Sequence, residues 1–305
     1  MRWRPSRDIQ VEDRRGAGGG GGLGGIGMGG LGGGGIPIPV GGGIGGIVIT
    51  IIIIVVLNLL SGASPTGSIG GLGGEQGGGG AAASLDPNDT SGQFVNAVTV
   101  DVQGFWEDRF AATNQEYPQT LTVLFTGQTP SGCGVASSAT GPFYCPSDQK
   151  VYLDTAFFDE LKSRFGAPGQ FAQAYVIAHE FGHHVQDALG IMDQVAQQQQ
   201  SNPSNANNLS IRLELQADCL AGVWAHSVYT TPDESDIESI TDKDVQDAIN
   251  AAAAVGDDRI QEQATGTIDK ESWTHGSADQ RAKWFNNGFK GGTTADCDTF
   301  AVATP

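Results

Sequence analysis

From residue 90 onward, apolar residues recur at the three- and four-residue spacing of a helix. Phe94, Val95, Val98, Val102, Phe105, Trp106 and Phe110 make one such face. Asp89 to Gly92 supply the start, with Thr90 or Ser91 placed to cap it. The pattern then changes to short strand-like runs, Thr120 to Thr126, Phe143 to Cys145 and Lys150 to Asp154. The last two are separated by Pro146-Ser147-Asp148, a turn signal, and read as a hairpin. Helical spacing returns in a short helix, Phe157 to Arg164, and a long one from Phe171 to about Gln199. Ser201 to Asn208 is a polar, Asn-rich loop, and the run of four glutamines before it offers no packing face. Leu209 to Tyr229, Lys243 to Gln263 and Gln280 to Phe289 are further helices. A few strands followed by many helices predict an α+β fold, a small mixed β-sheet beside a helical bundle, with no internal repeat.

Ahead of residue 85 the composition is of another kind. Thirty of the 47 glycines lie between residues 16 and 80. Such tracts bury little and lose much backbone entropy on ordering, so they are expected to be flexible. Between them runs Ile44 to Leu60, apolar and without charge, extended on its N-terminal side by the uncharged stretch from Ile36. That is enough for one membrane-spanning helix. It begins too far from residue 1 for a cleaved signal peptide, which favours a retained anchor. Arg2, Arg4, Arg7, Arg14 and Arg15 precede it, and no Lys or Arg follows until Arg109. The positive-inside rule then predicts a cytoplasmic N-terminus and an extracytoplasmic domain, periplasmic or at the cell surface. The expected organisation is a flexible Arg/Gly-rich tail at 1–43, a transmembrane helix at 44–60, a Gly-rich linker at 61–84 and one folded domain at 85–305.

Net charge is −18, and the part after residue 43 carries 11 basic against 31 acidic residues. An acidic exported domain excludes nucleic acid as a partner and adhesion to anionic lipid by charge. The four cysteines show no CxxC spacing, which argues against a cysteine-held metal. An even number in an exported domain fits two disulfides: Cys133 with Cys145 around a turn-rich segment, and Cys219 with Cys297 tying a helix to the C-terminus.

The chemistry is concentrated in His179-Glu180-Phe181-Gly182-His183. Residues four apart on a helix project from one face, so the two imidazoles can hold one Zn2+. A third protein ligand and a water complete the set, and Glu180 is placed to take the proton of that water. The pattern predicts peptide hydrolysis. Gly182 costs a helix roughly 1 kcal/mol against alanine, which suggests close approach of something to the backbone. The positions where a metzincin continuation needs Gly and His hold Gln186 and Leu189, so that class is excluded. Glu214 and Asp218 lie four apart on the next helix. The longer acid is assigned as third ligand and the shorter as an acceptor orienting a ligand His, with the exchanged roles as the alternative. His184 points about 100° away from its neighbour and is read as a polar bystander. His226 and His275 are the remaining histidines, and His275 sits in a polar turn leading to Arg281. His275 suits stabilisation of a developing oxyanion with Arg281 behind it; a plain helix-capping turn fits the same residues. Lys150 to Asp154 is the candidate edge strand for an extended peptide substrate, although Val151 and Leu153 alternate as an interior strand's would.

Nearly the whole chain resembles the putative neutral zinc metallopeptidase family, the bacterial YpfJ-like proteins. The likeness runs from Arg4-Pro5-Ser6-Arg7 and Val11-Glu12-Asp13-Arg14-Arg15-Gly16 through Ser131-Gly132-Cys133-Gly134, Gly141 to Pro146 and Val151 to Asp154. It continues with Ala174 to Gln186, Glu214 to Cys219 and His275 to Arg281. The resemblance implies a membrane-tethered bacterial zincin, a gluzincin-like HExxH hydrolase with a downstream Glu. A catalytically inactive zincin-like envelope module is the alternative, and the intact Glu180 weighs against it.

Overall fold

The computed structural model describes residues 1–16, 85–231 and 236–305. Four strands form the main sheet: β1 (Val11–Asp13), β2 (Thr122–Phe125), β5 (Phe143–Cys145) and β6 (Lys150–Asp154). Their spatial order is β1-β2-β6-β5. β2 is parallel to both of its neighbours, while β5 and β6 are the antiparallel hairpin expected from the turn between them, with Cys145 opposite Lys150. All four residues of β2 are buried, as a central strand covered on both faces requires. A separate hairpin, β3 (Gln128–Ser131) and β4 (Gly134–Ser137), carries Cys133 in its turn. The Cys133–Cys145 disulfide fastens that hairpin to the end of β5.

Two expectations about the sheet are corrected. β6 is not an edge: it pairs with β2 on one side and β5 on the other. Val151, Tyr152 and Leu153 are each at most 1 % exposed, so the alternation of this strand reflects interior packing. Among the described residues, the free edge on this side belongs to β5. The composition also places residues 1–43 in a flexible tail, whereas residues 1–16 are part of the fold. Val11 is buried in the common core and β1 forms the other edge of the sheet.

Eight α-helices of eight or more residues are present among the described residues. α1 (Thr90–Ala111) starts at Asp89, whose carboxylate, rather than the Thr90 or Ser91 hydroxyl, accepts the Gly92 N–H. α2 (Ala156–Ser163) follows β6. The predicted long helix is two: α3 (Gln170–Ala188) and α4 (Ile191–Ser201), hinged at Gly190 with φ +70°. α5 (Ala206–Thr230) is the second site helix. The predicted Lys243–Gln263 helix is likewise divided, into α6 (Asp242–Ala254) and α7 (Asp257–Thr265). α8 (Ala278–Gly291) begins with a capping box between Ser277 and Gln280.

α3 is buried almost all round: Phe171, Ala174, Tyr175, Ile177, Ala178, Phe181 and Val185 are each at most 1 % exposed. That is why its sequence shows no clean polar face. α5 crosses it at Gly182, where a Cβ would stand 3.0 Å from the Ala217 backbone. The close approach suggested by this mid-helix glycine is therefore the backbone of the partner site helix. α5 and α8 meet more tightly still: a Cβ on Gly288 would lie 1.9 Å from the Cys219 carbonyl oxygen. The Cys219–Cys297 disulfide and Arg212, which donates to the Val302 and Ala303 carbonyls at 2.8 and 3.1 Å, tie α5 to the C-terminal segment. Among the described residues no helix is long and apolar enough to cross a membrane. The predicted span at 44–60 and linker at 61–84 lie outside those residues.

The α5–α8 contact makes a paired prediction. Gly288→Ala forces a methyl into a backbone oxygen and is expected to cost ~1–3 kcal/mol or more. Gly104, within α1, has open space where a Cβ would go. Gly104→Ala is expected to stabilise by roughly 0.5–1 kcal/mol through helix propensity. Thermal melts should move Tm in opposite directions; equal shifts would refute the reading of the Gly288 contact.

Candidate metal centre

α3 presents His179, Glu180 and His183 to one cleft, and α5 brings Glu214 to meet them. One donor atom from each of His179, His183 and Glu214 falls within 4.8 Å of the others. His179 Nε2 stands 3.3 Å from one oxygen of Glu214, and His183 Nε2 stands 3.5 Å from the other. All three are buried, at 5–9 % exposure. Asp218, one turn along α5, faces the back of His179 instead. The structure thus groups Glu214, and not Asp218, with the two Nε2 atoms.

The far nitrogen of each imidazole is already engaged. His179 Nδ1 donates to Asp218 Oδ1 at 2.9 Å. His183 Nδ1 lies 2.9 Å from Gln186 Oε1. The Gln186 amide nitrogen donates to the Leu213 carbonyl at 2.7 Å and to Gln216 Oε1 at 3.0 Å. That fixes which end of the amide faces His183: the oxygen, an acceptor, so His183 Nδ1 carries the proton. Both Nε2 lone pairs are thereby turned toward the same point. Two imidazole nitrogens and a carboxylate oxygen are a donor set suited to zinc.

Asp218 is fully buried and saturated. Besides His179 it accepts from Tyr175 Oη at 2.6 Å, Arg281 Nε at 2.8 Å and Arg281 Nη2 at 2.9 Å. Burial raises its pKa, but Arg281 and His179 outweigh that and hold it below the usual carboxylate range. Burial works the same way on Glu214, and the His183 and His275 charges pull it well below. For His179 burial favours the neutral ring, yet Asp218 and Glu214 lift its pKa to about 10.

His275 and Arg281 both line the cleft, as does Glu180. The His275 loop is buckled by Asp257 at the start of α7. One Asp257 oxygen takes the backbone N–H groups of Thr274, His275 and Gly276 at 2.8, 2.7 and 3.0 Å. The other lies 3.1 Å from His275 Nδ1. Burial lowers the His275 pKa, and the Glu214 and Asp257 carboxylates more than reverse this, so it is raised. In the turn before α8, Ser277 caps the helix and His275 lines the cleft. His184 and His226 stay outside the group. His184 is buried behind α3, with Nε2 2.6 Å from the Pro118 carbonyl, and His226 Nδ1 contacts the Phe289 carbonyl at 2.7 Å.

Gln186 and Asp257 are functional candidates that the sequence did not single out. Gln186 is an ordinary amide one turn after His183. Asp257 fell inside what read as a continuous helix, and only the break at Gly256 brings it to the His275 loop.

Comparison with known proteins supports zinc at the level of the family. A family model described as putative neutral zinc metallopeptidase matches residues 1–300. YpfJ of Escherichia coli, an uncharacterized protein, is 41 % identical over 303 residues, covering 98 % of this chain and 99 % of that one. Rv2575 of Mycobacterium tuberculosis, also uncharacterized, is 51 % identical over 192 residues, 61 % of this chain and 64 % of that one. No solved structure matches.

Metal analysis of the purified protein is expected to find about one zinc per chain, lost in His183→Ala and Glu214→Ala. Gln186→Leu should keep the fold but bind zinc ~10–100-fold more weakly, because His183 loses its orienting acceptor. Competition with a chromogenic chelator measures this. Unchanged affinity in Gln186→Leu would remove Gln186 from the site.

Proposed function

The chain belongs to the putative neutral zinc metallopeptidase family, and from that membership together with the site geometry we propose that it is a zincin-like metalloendopeptidase. The observation that carries the reading is the pair of Nε2 atoms facing one Glu214 carboxylate, each with its Nδ1 already bonded, beside Glu180 in the same cleft. When bound by His179, His183 and Glu214, zinc would polarise a peptide carbonyl and make water acidic enough to lose a proton to a carboxylate.

The chain's own residues supply the rest. Glu180 takes the proton from the attacking water and delivers it to the leaving amine nitrogen, so that one carboxylate serves as base and then acid. The His275 ring, its Nδ1 held by Asp257, donates from Nε2 toward the oxygen that gains charge as the carbonyl is attacked. Asp218 and Arg281 do not touch substrate in this scheme; they hold His179 and its tautomer. The free edge of β5 is the rail for an extended peptide, since Gly141 to Tyr144 form one wall of the cleft and an edge strand offers unpaired main-chain groups.

The cleft, about 330 Å³, also indicates the side chains it takes. Phe143, Phe157, Phe165, Val176, Met192 and Ile260 line it, while Glu180, Asp187, Asp193 and Glu214 are its acids. A bulky apolar side chain beside the cleaved bond gains from burial there, and an acidic one is repelled. The apolar segment 44–60 is proposed to hold the enzyme at a membrane, and the two disulfides fit an oxidising compartment.

A quenched fluorogenic peptide library with the residue next to the scissile bond varied is expected to show cleavage of Phe, Leu and Met peptides and none of Asp or Glu peptides. Glu180→Gln should retain zinc and lose about 10²–10⁴ of that activity. Full activity in Glu180→Gln would mean another group is the base.

The pH profile tests His275 separately. With a raised pKa, its protonated form persists above the ordinary histidine range, and activity that needs this form falls as pH rises through that value. Removing the Asp257 charge in Asp257→Asn should bring the basic limb of kcat/KM to lower pH while zinc content stays constant. An unmoved basic limb would leave Asp257 with a purely structural part.

A further inference from the structure

Residues 1–16 are joined to the domain across their whole length. β1 lies parallel to β2, with Val11 opposite Thr122 and Asp13 opposite Leu124. The Gln10 N–H donates to Asn96 Oδ1 at 2.9 Å, and Asn96 Nδ2 donates to the Asp8 carbonyl at 2.7 Å. The Trp3 ring meets Phe94 edge-on at 5.5 Å. Lys150 on β6 reaches Glu12 at 2.8 Å. The upstream arginines take part as well. The Arg2 N–H donates to the Ser239 carbonyl at 2.8 Å, and Arg4 lies 3.6 Å from Asp236. Arg14 pairs with Glu12 at 2.7 Å and donates to the Pro130 carbonyl at 2.9 Å. Arg15 pairs with Asp13 at 2.6 Å and with Asp89.

We infer that residues 1–16 and residues 85–305 lie on the same side of any membrane this chain meets. A strand hydrogen-bonded to β2 cannot stand across a hydrocarbon layer ~30 Å thick from it. The arrangement expected from the flanking arginines, N-terminus inside and domain outside, needs a single crossing between them, and a single crossing separates β1 from β2. The charge-free stretch runs from Gly16 to Gly74, but its apolar run is confined to Ile36 to Leu60, shorter than the roughly 40 residues that two helical crossings need. A single-pass anchor between residues 16 and 85 is therefore excluded. The arginine argument fails for a physical reason. The rule concerns basic residues in a free flank, whereas Arg2, Arg4, Arg14 and Arg15 are bonded into the folded domain.

This inference is independent of catalysis and is tested on the full chain in bacterial cells. All four native cysteines are in disulfides, so single reporters have a clean background. Arg7→Cys, or Pro5→Cys as a second choice should the first fold poorly, reports on the N-terminal segment; Ile268→Cys, half exposed, reports on the domain. A membrane-impermeant maleimide on intact spheroplasts is expected to label both, with the disulfides placing the shared side outside. Protection of both until the membrane is opened also supports a shared side and puts it in the cytoplasm. Labelling of one and protection of the other overturns the inference. In unmodified protein in native membranes, a zero-length carbodiimide is expected to join Glu12 to Lys150, with the linked peptides absent from Lys150→Ala. A Glu12–Lys150 link that forms only after detergent is added would equally overturn it.

Discussion

The carboxylate of Asp218 is the interaction on which the rest of the site depends. It is fully buried, and a buried charge survives only if it is paired and hydrogen-bonded. Its partners come from two helices, Tyr175 and His179 on α3 and Arg281 on α8, while Asp218 itself is on α5, so three helices meet at it. Satisfying one carboxylate thus locks the relative rotation of all three. Removing one partner of such a pair typically costs about 3–5 kcal/mol, because the other is left buried and uncompensated. The close helix crossings at Gly182 and Gly288 serve the same end. They let α5 approach both neighbours closely enough for an aspartate, the shorter acid, to reach the ring of His179 while the glutamate one turn earlier reaches its opposite face.

This geometry explains which parts of the site were legible in the sequence. His179, His183, Glu214 and Asp218 are each i and i+4 pairs on helices, so their shared faces follow from local geometry alone. The division of labour between Glu214 and Asp218 follows from side-chain length. Gln186 and Asp257 were hidden because their importance comes from residues distant in sequence. Gln186 matters through Leu213 and Gln216, and Asp257 through the loop at 274–276. The fold shows the same division. The β5–β6 hairpin has its own turn signal and was visible. β1 was not, since Val11-Glu12-Asp13 is a three-residue strand with one apolar side chain inside a charged segment. Its register exists only opposite β2, more than a hundred residues away. The helix breaks at Gly190 and Gly256 were masked by apolar periodicity that runs through them.

Charge accounting across the cleft bears on the metal proposed for it. Four acidic side chains, Glu180, Glu214, Asp218 and Asp257, are buried around it. Arg281 answers Asp218, and His275, with its raised pKa, answers Asp257. Glu214, facing the two imidazole Nε2 atoms, and Glu180, in the same cleft, remain. A proton is one way to offset them, and His179, whose pKa is lifted against burial by Asp218 and then Glu214 to about 10, is the ring that would carry it. A divalent cation offsets both at once and displaces the proton from the nitrogen it binds, since imidazole coordinates only when neutral at that atom. Asp218 favours either outcome by accepting from Nδ1, but it discriminates between tautomers: it keeps the lone pair on Nε2, toward Glu214. The buried aspartate that sets the helix packing is in this way also the group that prepares the metal site, so that fold and chemistry are not separable at this position.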